Sequence, residues 1–313
     1  TSLTMLLNFD SQFIEASNIL ENVINITDKE DITDELYEKA DGLVVRLGVV
    51  LSSEFLSRFR NIRFIATITT GLDHIDLEFC NNNNIHIISL KNEIEFLQKI
   101  HATPEYTWGL LLSLMRRIPW AYESMLEGRW DRNSFFGNEL YGKCFGVIGF
   151  GRVGKMLGRY ASAFGMSVNA YDIKIIGDHG YKISQVSLET LLKTSDIISI
   201  NLHLNEETKC FLKEKQFKMM KKGAILLNTS RGALIDEKAL LNALEQKQIA
   251  GAALDVLTDE NVEGVISDKH PLLLYASRND NLLITPHIAG SAYESMKNTA
   301  IFIAEKIRSF YRK

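Results

Sequence analysis

Three side chains far apart along the chain, Arg231, Glu260 and His287, are of the types that together reduce a carbonyl beside a carboxylate, or oxidise the corresponding alcohol. A cation such as Arg231 holds the carboxylate and polarises the neighbouring carbonyl, while an acid must protonate the oxygen as hydride arrives. His287 is of the one type that ordinarily titrates near neutrality, and a carboxylate such as Glu260 beside it would favour its protonated form and orient the ring. General acid help of this kind is worth about 10²–10⁴ in rate. Each residue also has a plain reading, as a surface ion pair, a solvated acid in the run with Asp259 and Glu263, or a loop histidine after Pro286. What sets them apart is that each follows a short apolar run: Asn228-Thr229-Ser230-Arg231-Gly232 after 224–227, Asp255 to Glu260 after 252–254, and Pro286-His287 after 282–284.

Such chemistry needs a hydride carrier, and Gly149-Phe150-Gly151-Arg152-Val153-Gly154 provides a place for one. The motif follows the apolar run 145–148 and opens an amphipathic stretch over 155–164. Gly149 suits a tight turn, Gly151 the close approach of a pyrophosphate to backbone, and Gly154 close helix packing. The helix N-terminus then faces the phosphates with open N–H groups and the positive end of its dipole. A glycine-rich turn alone is weak evidence. Here the next run, 168–171, ends at Asp172, whose carboxylate can accept from ribose hydroxyls and would repel a 2′-phosphate. This favours NAD over NADP, with Lys174 two positions on offsetting part of the repulsion.

The elements that must position these residues read as two series of alternating strands and helices, an α/β chain with parallel sheets. The first series has strands at 5–7, 43–45, 64–67 and 86–88, as in a small flavodoxin-like sheet, and carries no glycine-rich turn. The second has six, at 145–148, 167–171, 197–200, 224–227, 252–254 and 282–284, enough for a complete dinucleotide fold. Between them, 103–130 is rich in Leu, Trp and Met and is expected to form one long helix, capped by Thr103 and Pro104 and bent or broken near Pro119. Residues 291–313 have apolar positions at helical spacing and should pack back on the first series. The expected fold is therefore two doubly wound parallel-sheet domains, a Rossmann NAD-binding domain at 103–290 inserted in a smaller flavodoxin-like domain at 1–102 and 291–313.

Composition narrows the partners. Lys plus Arg total 35 against 39 Asp plus Glu, a net charge of -4 with no basic run, so nucleic acid and anionic membranes are not expected and small molecules are. Cys80, Cys144 and Cys210 are too scattered for a metal site or a redox pair, which fits free thiols in a cytoplasmic setting and no metal. The opening apolar stretch is too short for a signal-peptide core, and no run reaches the roughly 18 residues of a membrane span.

Five motifs in order, Thr70-Gly71-Leu72-Asp73-His74-Ile75-Asp76, the glycine turn with Asp172, Asn228 to Gly232, Leu254-Asp255-Val256 followed by Glu260, and Pro286-His287-Ile288-Ala289-Gly290, give the chain its resemblance to the D-isomer-specific 2-hydroxyacid dehydrogenases. In general character it is nearest to their phosphoglycerate dehydrogenase branch, and the resemblance covers nearly the whole sequence. It implies His287 as acid/base, Glu260 as its partner and Arg231 as carboxylate anchor. It also implies cofactor contacts at Arg152, Val153, Asp172, Leu202, Thr229, Asp255 and Gly290, with Asp255 holding the carboxamide. Substrate contacts are implied at Arg46 and Leu47, in the loop Val45 to Val49, and at the Gly71 turn. The helix at 103–126 is implied to build a homodimer, its apolar richness at 103–115 being consistent with a buried interface.

The chain departs from the family's pattern at places that bear on substrate. Leu47 and Val49 stand where many members carry Ser and Thr, removing hydroxyls that could meet a polar substrate such as phosphoglycerate. Asn261 replaces the usual Pro after the catalytic Glu. His203, in Asn201-Leu202-His203-Leu204, is read as structural rather than as a substrate-side group; His74 is read as locally hydrogen-bonded, and His101, Trp108 and Trp120 as interface or hinge groups. The regulatory domain attached to some phosphoglycerate dehydrogenases is expected to be absent. Two rival readings share the fold: an NAD(H)-sensing binding protein or corepressor, and a phosphite-type dehydrogenase.

Overall fold

The alternating runs form two parallel sheets in the computed structural model, which describes residues 5–46, 48–258, 260 and 266–312. The chain divides into two units, one running to Ile100 and resuming at Ser291, the other covering His101–Glu260 and Ile266–Gly290.

The first unit is built on β1 (Leu6–Asn8), β2 (Val23–Asn25), β3 (Gly42–Val45), β4 (Phe64–Thr67) and β5 (His86–Ile88), in the order β2-β1-β3-β4-β5. Its central strands β3 and β4 read as continuous apolar runs because both faces are covered. Leu7, Leu43 and Ile65 point to one side, with Phe55 and Leu56; Leu6, Val44, Phe64 and Ala66 point to the other, against Ile303, Ala304 and Ile307 of the helix Tyr293–Tyr311. Each fully buried Leu, Ile or Phe contributes about 1.5–3 kcal/mol by leaving water.

The second unit carries β6 (Cys144–Ile148), β7 (Ser167–Tyr171), β8 (Ile183–Gln185), β9 (Ile197–Ile200), β10 (Ala224–Asn228), β11 (Ile249–Leu254) and β12 (Leu282–Ile284), ordered β12-β11-β10-β9-β6-β7-β8. Ile148, Ile198 and Leu226 pack against Leu234, Leu240 and Leu244 on one face; Phe145, Val147 and Leu227 pack against Trp108, Leu111 and Leu157 on the other. Chain order reverses between β6 and β9, and a crevice for ligands opens beyond the carboxyl ends of the strands at such a point.

Two expectations are corrected and a third is located. Among the described residues the second sheet has seven strands, not six, and the first five, not four. The additions, β2 and β8, are three-residue edge strands with half-exposed or exposed side chains, so neither carries an apolar alternation. The long helix expected to bend or break near Pro119 is broken two positions before it, into Ala102–Met115 and Ile118–Leu126, where Arg117 takes a φ of 56°. Pro119 sits in the first turn of the second helix, where its missing N–H interrupts no bond. Finally, the first helix starts after His101, leaving Thr103 and Pro104 inside it, and its Trp108, Leu111, Leu114 and Met115 fill the core of their own unit. The apolar richness at 103–115 is thus explained by internal packing.

Candidate active site

The glycine turn has the shape its spacing implies. Gly149 takes a φ of 86°, a region costly for any residue with a side chain, and donates its N–H to the Tyr171 carbonyl at 2.9 Å. A Cβ at Gly154 would lie 2.2 Å from the Gly149 carbonyl oxygen, so only glycine lets the helix Arg152–Ala163 approach the turn this closely. At Gly151 a Cβ would meet nothing within 4 Å. Packing within the protein therefore gives no reason for this glycine, which is also the helix's N-cap and has no side chain to satisfy the first-turn N–H groups. A pyrophosphate lying on the turn accounts for both features.

Asp172, just past β7, ties this turn to its neighbour. One carboxylate oxygen accepts from the Phe150 N–H at 2.7 Å and the other from the Lys174 N–H at 2.9 Å. Further lone pairs on each oxygen can serve ribose hydroxyls. Leu202 packs at the turn, with its Cδ2 2.9 Å from where a Gly149 Cβ would stand, and Arg152 and Val153 are the first helical residues, both partly buried. The set fits a dinucleotide.

Arg231 is presented by a turn that its own sequence folds. The Asn228 side chain accepts from the Ser230 N–H at 3.0 Å and donates to the Arg231 carbonyl at 2.9 Å, while the Ser230 hydroxyl donates to the Ile200 carbonyl on the adjacent strand at 2.9 Å. The Arg231 guanidinium donates to the Ser230 carbonyl at 2.8 Å. Thr229 bonds through its hydroxyl to that of Thr107 at 2.7 Å. Next comes Gly232, where a Cβ would stand 2.0 Å from the carbonyl carbon of Leu257. The Arg231 turn is thus pressed backbone to backbone on the chain that leads from β11 to Glu260.

His287 lies on the loop after β12, its Nδ1 3.0 Å from both carboxylate oxygens of Glu260. Its backbone is left-handed, φ 54°, which costs a side-chain-bearing residue about 1–2 kcal/mol. What holds it there is Asp255, a carboxylate with no exposed surface. The His287 N–H donates to the Asp255 carbonyl at 2.8 Å; the Asp255 side chain accepts from the Thr285 hydroxyl at 2.5 Å and from the N–H groups of Ile288 and Ala289 at 3.0 and 2.7 Å. Burial pushes the Asp255 carboxyl above its ordinary range, against those hydrogen bonds and nearby His287, which pull it down. Tyr106, hydrogen-bonded to Thr285, is likewise pushed up by burial.

Two of the three expected catalytic side chains, Glu260 and His287, are therefore in direct contact, and Arg231 is registered to them through Gly232 and Leu257. The inward task of Asp255, wrapping the His287 loop around itself, was not visible in the sequence, because its donors are mostly backbone groups some thirty positions away. Gly290 is exposed just beyond that loop. In the first unit, Arg46 follows β3 with an exposed side chain, and the Gly71 carbonyl accepts from the Thr69 hydroxyl at 2.7 Å; Leu47 lies outside the described residues. His203 is exposed, its carbonyl accepting from the Thr208 hydroxyl at 2.6 Å, and the carbonyl of buried His74 accepts from the Leu51 N–H at 2.8 Å. Among the described residues no cluster of His, Cys, Asp and Glu could hold a metal ion, and no helix is long and apolar enough to cross a membrane.

Residues 108–289 match the family model for the D-isomer specific 2-hydroxyacid dehydrogenase NAD binding domain. D-3-phosphoglycerate dehydrogenase of Bacillus subtilis is 34% identical over 306 residues, covering 96% of this chain and 53% of that protein. Hydroxypyruvate reductase of Thermotoga maritima is 33% identical over 298 residues, 94% of each. The structure of Aquifex aeolicus D-lactate dehydrogenase complexed with NAD and lactic acid is similar at a TM-score of 0.87 and 29% identity, over 99% of this chain and 96% of that one. The chain spans about half the length of the first curated relatives it matches.

Proposed function

The chain belongs to the D-isomer specific 2-hydroxyacid dehydrogenase family, and from that membership we propose that it is an NAD-dependent dehydrogenase acting at C2 of a small D-2-hydroxy acid or its 2-oxo acid. The observation that carries this reading is the contact of His287 Nδ1 with both oxygens of Glu260 at 3.0 Å, on a loop anchored by a buried carboxylate.

NAD, when bound, supplies or accepts the hydride at C2. The backbone N–H groups at Gly151, Arg152 and Val153 would hold its pyrophosphate, Asp172 its ribose, and Leu202, Thr229 and Gly290 would line the remainder, while Asp255, with no exposed surface, acts from beneath by holding the His287 loop. Arg231 binds the carboxylate and polarises the C2 oxygen. Glu260 occupies Nδ1 of His287 and so leaves Nε2 to face substrate. In reduction the protonated ring gives its Nε2 proton to the C2 oxygen; in oxidation the neutral ring, with its hydrogen on Nδ1, takes that proton back. The first unit is the substrate domain, offering Arg46, Leu47 and the Gly71 turn to the rest of the acid. In this reading that domain runs to Ile100 and resumes at Ser291, and the second unit is the NAD domain.

We further assign a homodimer, in a cytoplasmic setting, to the 103–126 region. The surface supporting it is on the second helix, where Ile118, Tyr122 and Leu126, at i, i+4 and i+8, are 52%, 63% and 70% exposed. Leu126→Asp should convert the dimer to monomer by light scattering.

The deciding assay is NADH oxidation with glyoxylate, pyruvate, hydroxypyruvate, 3-phosphohydroxypyruvate and 2-oxoglutarate, repeated with NADPH. Turnover of a 2-oxo acid with NADH is expected. Tight NADH binding with no acid reduced would overturn the dehydrogenase reading in favour of an NAD(H) sensor; NAD reduction by phosphite would replace the substrate.

A further inference from the structure

Glu237 has no place in the chemistry above, yet it bonds two ends of one connection. It is the first residue of the helix Glu237–Glu245, whose start is fixed by the Asp236 side chain accepting from the Ala239 N–H at 3.0 Å and by the Asp236 N–H donating to the Leu212 carbonyl at 2.9 Å. From that mounting, Glu237 Oε1 accepts from the Thr258 N–H at 2.6 Å and Oε2 meets His270 Nε2 at 3.2 Å. Its side chain is 19% exposed and that of His270 7%. Thr258 and His270 bound the stretch on which Glu260 stands, two positions from the first bond.

We propose that Glu237 is a positioning residue for Glu260: bonded to the chain on either side of it, Glu237 fixes where the Glu260 carboxylate meets His287. Gly232 supports the same registry, because Leu257 and Thr258 are pressed against it, so one end of the connection has both a packing stop and a charged acceptor. The His270 end is specific as well. Its Nδ1 is buried with no partner among the described residues, so Nε2 carries the hydrogen that Glu237 accepts. The groups facing His287 itself are Glu260 and Asp255, so Glu237 acts on the histidine only through Glu260. A displacement of about 1 Å in a catalytic group can cost about 10² in rate.

This inference rests on the proposed dehydrogenase activity, and the test separates the two. Glu237→Ala should lower kcat tenfold or more while KM for the acid and affinity for NADH stay within twofold. In a Glu260→Gln background the same substitution should change kcat less than twofold, because the group it positions is already gone. Equal losses in both backgrounds, or wild-type kcat in Glu237→Ala, overturn the proposal. If Glu237→Ala does not fold, Glu237→Gln runs the same cycle: it keeps an acceptor for the Thr258 N–H and removes the one for His270, and a threefold or greater loss confined to the wild-type background is expected. Amide hydrogen exchange gives a readout without turnover. Exchange at Thr258 should rise in Glu237→Ala, which removes its acceptor, with that of the glycine turn unchanged, and unchanged exchange at Thr258 in that variant refutes the positioning even if no substrate has been found.

Discussion

Gly232→Ala adds one methyl group where the Arg231 turn touches the chain leading to Glu260. The new Cβ would lie 2.0 Å from the Leu257 carbonyl carbon, 2.3 Å from its oxygen and 2.4 Å from the Thr258 nitrogen. All three are backbone atoms, so no side chain can swing aside. Ordinary contact begins near 3.4 Å, and the two loops must part by roughly 1.4 Å, the difference between 3.4 and 2.0 Å. Forcing a methyl group into a filled space costs about 1–3 kcal/mol, and for a unit of this size each kcal/mol lowers Tm by about 2–4 °C. A shift of this size between Arg231 and Glu260 should reduce kcat/KM for the acid by about 10². NADH affinity should hold, since the turn after β6 is untouched. The assay is steady-state kinetics beside a thermal melt and an NADH titration. Unaltered kcat/KM together with an unaltered Tm would refute the reasoning, by showing that the loops do not need this closeness.

Gly151→Ala should leave Tm within a degree or two yet weaken NADH binding tenfold or more, whereas Gly154→Ala, facing a carbonyl at 2.2 Å, should lower both; equal melts for the two would be inconsistent with the geometry. His287→Asn puts in the side chain that best tolerates a positive φ, so the fold and NADH binding should survive while turnover falls at least 10²-fold; retained turnover would remove His287 from the mechanism. Burial, then Asp76, push the Cys80 thiol up to about 11, against a backbone hydrogen bond that pulls it down, so it is almost wholly protonated at pH 8. Cys80 should react with iodoacetamide only on unfolding, and mass spectrometry that finds it labelled as fast as Cys210 in the native protein would contradict that.

The parts of the fold that were legible were those whose signal is local. β3, β4, β6 and β9 announce themselves as short apolar runs because both of their faces are buried, and the glycine turn because its glycines answer a positive φ at Gly149, the nearby Gly149 carbonyl at Gly154 and the want of any contact at Gly151. β2 and β8 lie at sheet edges with partly or fully exposed side chains, and nothing in their composition separates them from loop. The helix break expected near Pro119 fell two positions before it, at Arg117, since proline is tolerated in a first turn and the left-handed residue before it carries no sequence mark. At the site, His287 and Glu260 could be paired from their types and their places after strands. Asp255 and Glu237 could not be given their tasks, because what they bond are chiefly backbone N–H groups brought near by folding, and every residue but proline has one.

The helix Tyr293–Tyr311, which covers Val44, Phe64 and Ala66 of the first unit, is separated from them by the whole of the second unit in sequence. On the ribosome this sets an order of events. At about 5–20 residues per second, the interval between synthesis of β4 and of Ile303 to Ile307 is roughly 12–50 s. For that time one face of the first sheet has only part of its cover, from residues such as Phe13 and Ala16, while the second unit, continuous in sequence apart from a short stretch, can close its core as it emerges. The first unit is therefore finished after the second, and the nascent chain offers apolar sheet surface to chaperones, or to another nascent chain, until the helix Tyr293–Tyr311 arrives.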